Sequence, residues 1–373
     1  VTSDPTIAFH RDVRDARLSE AATVFEELLT SGREVGGAFA VLQHGRVLAH
    51  CWGGTSRDDD ASPWREDTLV QVYSAGKPLV ALAAMLAVRD GFVSLDDPVT
   101  RTWPHYVDHD DDPTTLRSIL SHTSGKHRFP DDTATLDPSD TAALTDALAT
   151  SPPLAPPGSL LFEHAATYGH LVDGLLAAAA APSVAERSAQ LSELLSAEFH
   201  FGMPDDQHHR IADLRIIDEG WLRDYNARPT AKASLSLPPG LLDPAYTRSA
   251  RWRRTSFGAV GLMTDALSLA TFYDDIHRPD GAVAGSLGPS LHRQMLSPAA
   301  SGFDEFLQQD VEWGLGLRLD DGEIGMGGIG GSAAWHSIGA DYSMAYVTRG
   351  LADHSRVDAV AEAVERALDP LGS

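Results

Sequence analysis

Ser74 and Lys77 stand three residues apart in Tyr73-Ser74-Ala75-Gly76-Lys77-Pro78, at the head of the apolar run 79–88. On a helix that spacing puts both side chains on one face, about one turn apart. A serine hydroxyl becomes a nucleophile when a neighbouring base takes its proton, and a desolvated lysine can be that base. If Ser74 opens the helix, its own N–H is free to face a substrate, and the positive end of the dipole favours a developing oxyanion. The same residues also suit a plain N-cap serine followed by an exposed lysine. The rest of the chain has to decide between the two.

The elements that would hold this pair can be read on either side of it. Residues 12–31 have helical spacing, with Val13, Leu18, Phe25 and Leu28 on one broad face. The runs 38–42 and 46–52, joined through Gln43-His44-Gly45, read as a β-hairpin in which Gly45 supplies positive φ. Residues 68–72 form a short strand feeding Ser74, and the helix after Lys77 stops near Gly91. From about 115 to 250 the pattern turns helical, best at 141–150, 165–181 and 184–196. Strand character returns in 312–319 and 342–348, and a helix over 357–368 follows. Strands at both ends around a helical middle predict an α+β fold: a sheet domain from 1–100 and 251–373, with 101–250 inserted as a mostly helical domain.

Composition narrows the partners. The 373 residues include 53 Asp and Glu against 29 Lys and Arg, a formal charge of −24 that repels nucleic-acid phosphate and anionic lipid. Neither nucleic acid nor membrane is therefore expected as a partner. The single cysteine, Cys51, excludes an internal disulfide and a multi-cysteine zinc site, and its strand setting suits core packing. The acidic run 108–112 reads as a solvated loop, since no second ligand cluster has metal spacing. No metal and no cofactor are expected. Val1-Thr2-Ser3-Asp4-Pro5 has no basic or apolar leader pattern, so the sequence as it stands reads as cytoplasmic.

Four stretches together resemble the serine β-lactamase and penicillin-binding-protein superfamily, in its class C and esterase-like branch. The first is Ser74-x-x-Lys77 with the trailing Asp90-Gly91-Phe92-Val93-Ser94-Leu95-Asp96-Asp97-Pro98-Val99. The second, Leu116 to Gly125, is similar to the family's "LLxHTSG" segment. The third, Pro157-Gly158-Ser159-Leu160-Leu161-Phe162-Glu163-His164, is similar to "PGxxxxYS", where the tyrosine is normally catalytic. The fourth, Gly325-Met326-Gly327-Gly328-Ile329-Gly330-Gly331-Ser332, sits where the family has "HxGxGG" or "KTG". In family order, they imply a β-lactamase/transpeptidase-like fold: an antiparallel sheet flanked by N- and C-terminal helices, with the helical insertion.

The departures from that pattern shape the functional expectation. Glu163 occupies the tyrosine position and Met326 the His or Lys position. A carboxylate beside Lys77 favours the ammonium form and weakens lysine as a base, so Glu163 is itself a candidate base, directly or through water. The competing reading is that Glu163 merely pairs with Lys77. Met326 removes a cation that would meet a substrate carboxylate, which points to an uncharged acyl group such as an ester. The resemblance thus implies Ser74, Lys77 and Glu163 as catalytic, and Ser74, Ile329, Met326, Trp335 and His336 as substrate-binding or oxyanion positions. Whether Trp335 or His336 faces substrate depends on strand register, and both can instead pack or face solvent. His122 is expected to tie down a loop, and His164 and Tyr168 are candidates to line the cleft. The expected activity is acyl transfer through a Ser74 acyl-enzyme on a small ester or amide, ending in hydrolysis or in transfer to an amine. A non-catalytic protein that binds a small acyl ligand in the same cleft is the alternative.

Overall fold

The turn at His44-Gly45 explains how the sheet begins. Both residues take positive φ, 52° and 74°, a two-residue reversal whose twist matches the strands it joins. The strands Gly36–Gln43 and Arg46–Gly54 pair around it, as expected. The computed structural model describes residues 8–59, 62–109, 111–320 and 322–368. Within them one nine-stranded antiparallel sheet runs in the order Phe9–Val13, Arg46–Gly54, Gly36–Gln43, Tyr342–Thr348, Ala333–Ser337, Glu323–Gly327, Arg318–Asp320, Gln309–Trp313 and Ala300–Asp304. The α+β, β-lactamase/transpeptidase-like architecture is therefore present, with an early strand and a late one, Gly36–Gln43 and Tyr342–Thr348, meeting inside the sheet.

Each face of the sheet is covered by helices. Ser19–Thr30 and Ser355–Leu368 bury Phe25, Leu28, Val360 and Val364 against one face. On the other, Ala266–Ile276 lies across the sheet, and Lys77–Arg89 is buried on all sides, as a central helix of small and apolar residues must be. That second core continues without a break into Leu116, Ile119, Leu171 and Leu175 of the helical middle. The middle is also tied by two short ladders, His200–Phe201 on Leu262–Thr264 and Arg215–Ile216 on Gly350–Leu351.

Several expectations shift. Residues 12–31 are not one helix: Phe9–Val13 is an edge strand registered Phe9↔Gly53, and the helix begins at Ser19. Residues 312–319 are two strands, Gln309–Trp313 and Arg318–Asp320, because Gly316 turns at φ +83° where a Cβ would lie 2.2 Å from Ala81 Cβ. Only glycine fits so close to the central helix. The helix expected from 165 starts at Tyr168 with Thr167 as its N-cap, leaving 163–166 outside it. Cys51 is buried in its strand, and burial pushes its thiol up to about 12. In the acidic loop, Asp108 accepts hydrogen bonds from Thr114 N, Thr114 Oγ1 and His109 N, which makes it a loop clamp; Asp110 lies outside the described residues.

Candidate active site

Ser74 sits in a 3₁₀ turn, Tyr73–Gly76, that runs straight into the helix Lys77–Arg89. Tyr73 takes φ +51° although it carries a bulky side chain, a strained backbone that costs on the order of 1 kcal/mol or more. The turn lifts Ser74 to the wall of a cavity while Lys77 stays underneath it. Lys77 Nζ donates to Ser74 Oγ at 2.6 Å and to Glu163 Oε1 at 2.8 Å. Lys77 is 0% exposed, Glu163 4% and Ser74 7%, so the serine is the member of the three most open to a ligand.

Glu163 reaches this point because its segment is pinned on both sides. Its N–H donates to Asp304 Oδ1 at 3.3 Å, Phe162 N donates to His122 O, and His164 N donates to His122 Nδ1 at 3.2 Å. In an extended segment neighbours point oppositely, so Glu163 turns to Lys77 while His164 turns away. His164 Nδ1 lies 2.8 Å from the Phe162 carbonyl and its Nε2 lies 2.6 Å from Ser124 Oγ. Burial, with the charges of His127 and Lys77, lowers its pKa to about 3, so it is neutral at pH 7. His122, at φ +63°, ties down the loop as expected and packs edge-on against Trp313. Tyr168 points to Leu120 O. Neither His164 nor Tyr168 is among the residues lining the cavity.

The cavity, about 240 Å³, has Ser74, Glu163, Met326 and Ile329 in its walls. The Gly-rich stretch approaches the serine turn closely: a Cβ on Gly328 would lie 2.1 Å from Val72 O. The backbone from Gly327 to Ile329 therefore runs beside Ser74 with no side chain between. Met326 packs with Val311 and Trp313 rather than offering a charge. Arg318 does line the cavity, but its Nε is held 2.8 Å from Asp320 Oδ2, so this cation is already partnered.

Trp335 and His336 lie elsewhere, and register is the reason. Met326 is paired with Ala334, Gly325 with Trp335 and Ile324 with His336. Trp335 thus falls on the opposite face from Met326, against the helices Ser19–Thr30 and Ser355–Leu368. His336 shares the face of Met326 but stands two residues farther from Ser74, stacked on His277. Conversely, Tyr225 and His354 line the cavity and were not among the expected residues. Burial, then the charge of Glu163, pushes the Tyr225 phenol up to about 12, so it carries its proton at neutral pH. No local pattern in the sequence distinguishes either residue.

Comparisons with known proteins bear on the family and the fold. The family model described as Beta-lactamase matches residues 21–368. The chain belongs to that family. Among curated relatives, this β-lactamase-family chain is 38% identical over 128 residues to "Esterase EstB" of Burkholderia gladioli, covering 33% of this chain and 32% of the esterase. The matched part thus spans about a third of that relative's length. Among solved structures, a penicillin-binding-protein homolog from Caulobacter crescentus superposes with a TM-score of 0.82 at 25% identity, over 97% of this chain and 100% of that one. A family VIII carboxylesterase gives a TM-score of 0.84 at 20% identity, with the same two coverages. These likenesses establish the β-lactamase-type fold. No helix among the described residues is long and apolar enough to cross a membrane.

Proposed function

We propose that this chain is a serine acyl-transfer enzyme that takes the acyl group of a small ester or amide onto Ser74 and passes it to water or to an amine. The observation that carries the reading is Lys77 Nζ, which touches Ser74 Oγ and Glu163 Oε1 at once beneath a cavity open to the serine. Ser74 Oγ attacks the acyl carbon, and its proton passes to Nζ as Nζ yields one to Glu163. Glu163 is then the terminal base and Lys77 the relay between them. The Ser74 and Ile329 N–H groups receive the carbonyl oxygen as it gains charge. When the bond to the leaving group breaks, the stored proton returns along the same path to that group. Water or an amine then adds to the acyl carbon, loses its proton by the same route, and Ser74 leaves as the hydroxyl.

The cavity walls fit an uncharged acyl group, since Met326, Leu241, Val260 and Phe306 are apolar and Arg318 is paired. Both parts of the chain contribute: Ser74, Lys77 and 326–329 from the proposed sheet domain, Glu163 and Tyr225 from the proposed insertion. The test is labelling with a serine-reactive phosphonate, followed by turnover of activated esters with and without added amines. Modification of Ser74 and a burst of released alcohol are expected. An unlabelled protein, or equal labelling of Ser74→Ala, would reduce the cleft to a binding site.

A further inference from the structure

His336 is displaced from the cavity into a different constellation. Its ring stacks on His277 with centroids 3.3 Å apart and planes 13° apart. Asp341 Oδ1 lies 3.6 Å from His277 Nε2 and 4.0 Å from His336 Nε2, and Asp341 Oδ2 lies 3.0 Å from His44 Nε2. The ligand atoms of His277, His336 and Asp341 all fall within 4.8 Å of one another. We propose that His277, His336 and Asp341, with His44 as a fourth donor, bind a divalent transition-metal ion of the zinc class.

The donor chemistry and its outer support both fit. Imidazole nitrogens with a carboxylate oxygen are a borderline-soft set that suits zinc over calcium or magnesium. Metal–ligand bonds of about 2.0–2.2 Å in a tetrahedron hold donors about 3.3 Å apart. Asp341 lies 3.0 Å from His44, 3.6 Å from His277 and 4.0 Å from His336, and binding requires the two stacked rings to swing out of parallel so that both Nε2 lone pairs meet one ion. Each inner histidine has its other nitrogen occupied: His277 Nδ1 lies 3.2 Å from the Tyr273 carbonyl and His336 Nδ1 lies 3.0 Å from Ser343 Oγ. A ring nitrogen engaged in this way leaves Nε2 to face the metal.

The fold also delivers these residues from separate elements. His44 is in the first hairpin turn and Asp341 in the turn before Tyr342–Thr348, both at positive φ. Gln43 Nε2 already joins the two turns by donating to Asp341 O at 3.0 Å. His277 closes the helix Ala266–Ile276. A bound ion would clamp two turns of the sheet to the end of that helix. Ile324, paired with His336, stands three residues from Gly327, about 10 Å at strand rise. The site is therefore separate from the serine cavity and does not depend on the proposed reaction.

The experiment adds Zn²⁺, and separately Co²⁺, to the chelator-treated, otherwise intact chain. One equivalent of Zn²⁺ should bind at micromolar or lower concentration and raise the thermal midpoint by about 3–5 °C at saturating metal. Co²⁺ should give the intense visible bands of a four-coordinate ion. His277→Gln and Asp341→Asn should each weaken binding at least tenfold, while Ser74→Ala binds as the parent does. Asn tolerates the positive φ of position 341, so Asp341→Asn keeps the turn and removes one charged donor. The chain has 16 histidines, which makes dependence on these residues the criterion. No binding, or binding unchanged in His277→Gln and Asp341→Asn, overturns the proposal.

Discussion

Lys77 Nζ lies 2.8 Å from Glu163 Oε1, and both side chains are withdrawn from water, 0% and 6% exposed. An ion pair so placed must be kept or removed as a unit: taking one partner away strands the other's charge in a low-dielectric site. Glu163→Ala or Lys77→Ala should thus destabilise the fold by about 3–5 kcal/mol. Replacing both with apolar residues of similar volume should cost less than either alone. Urea midpoints of the two single variants and the double variant check this, and additive losses would contradict it.

Glu163→Gln keeps the shape and an acceptor oxygen but removes the terminal base. Acyl transfer should fall by about 10²–10⁴-fold in single-turnover acylation. Lys77→Arg should be as poor, because guanidinium does not give up its proton at working pH and its fork has another shape. An unchanged or faster rate for Glu163→Gln would leave Glu163 a mere partner and return the base role to Lys77.

Ser74→Ala should abolish turnover with little effect on stability. The hydroxyl's partner is Lys77, which keeps Glu163, so the expected cost is about 1 kcal/mol. Matching thermal unfolding with no acyl-enzyme detectable by mass spectrometry is the expected pair of results.

Tyr225 carries its proton across the neutral range and faces the same cavity as Glu163. It is placed to donate a hydrogen bond to a departing oxygen while that oxygen takes up the proton returned through Lys77. Tyr225→Phe should then slow esters of aliphatic alcohols several-fold more than nitrophenyl esters, whose leaving groups need no proton. Equal slowing across the series would assign the phenol to packing alone.

His164 is neutral in the fold, with its pKa at about 3, whereas an unfolded histidine titrates near 6.5. Below pH 6.5 the unfolded chain therefore takes up a proton that the fold refuses, and stability drops as pH falls from 6.5 towards 3. By pH 5 this one residue should account for about 2 kcal/mol. His164→Gln should show a correspondingly shallower loss between pH 7 and pH 5 in denaturant titrations. Parallel losses in both proteins would refute it.

What could be read from the chain was what local rules determine. The hairpin through His44-Gly45, the strand over 342–348 and the helix over 141–150 follow from turn chemistry and period, and the structure has all three. Ser74, Lys77 and Glu163 came from spacing and from a motif, and the structure brings them into contact. Trp335 and His336 could not be placed, because a shift of one residue in register exchanges the faces of a strand. Tyr225 and His354 enter the cavity through long-range packing that no window of sequence contains. The break of 312–319 at Gly316 likewise answers to Ala81, more than two hundred residues earlier.

Arg356, in the helix Ser355–Leu368, donates to Gly330 O at 3.2 Å, to Gly350 O at 2.7 Å and to Glu34 Oε2 at 2.9 Å. It thereby staples the loop after Gly328 to the strand Gly350–Leu351 and to the segment leading into the first hairpin. During synthesis Ser74 leaves the ribosome long before either Gly330 or Arg356 exists. A nascent chain that already displays the serine, the lysine and the glutamate still lacks the wall they work against. Reactivity should therefore switch on only once Arg356 has been made and can dock, and stalled chains ending before Ser355 should stay inert towards a serine-directed label.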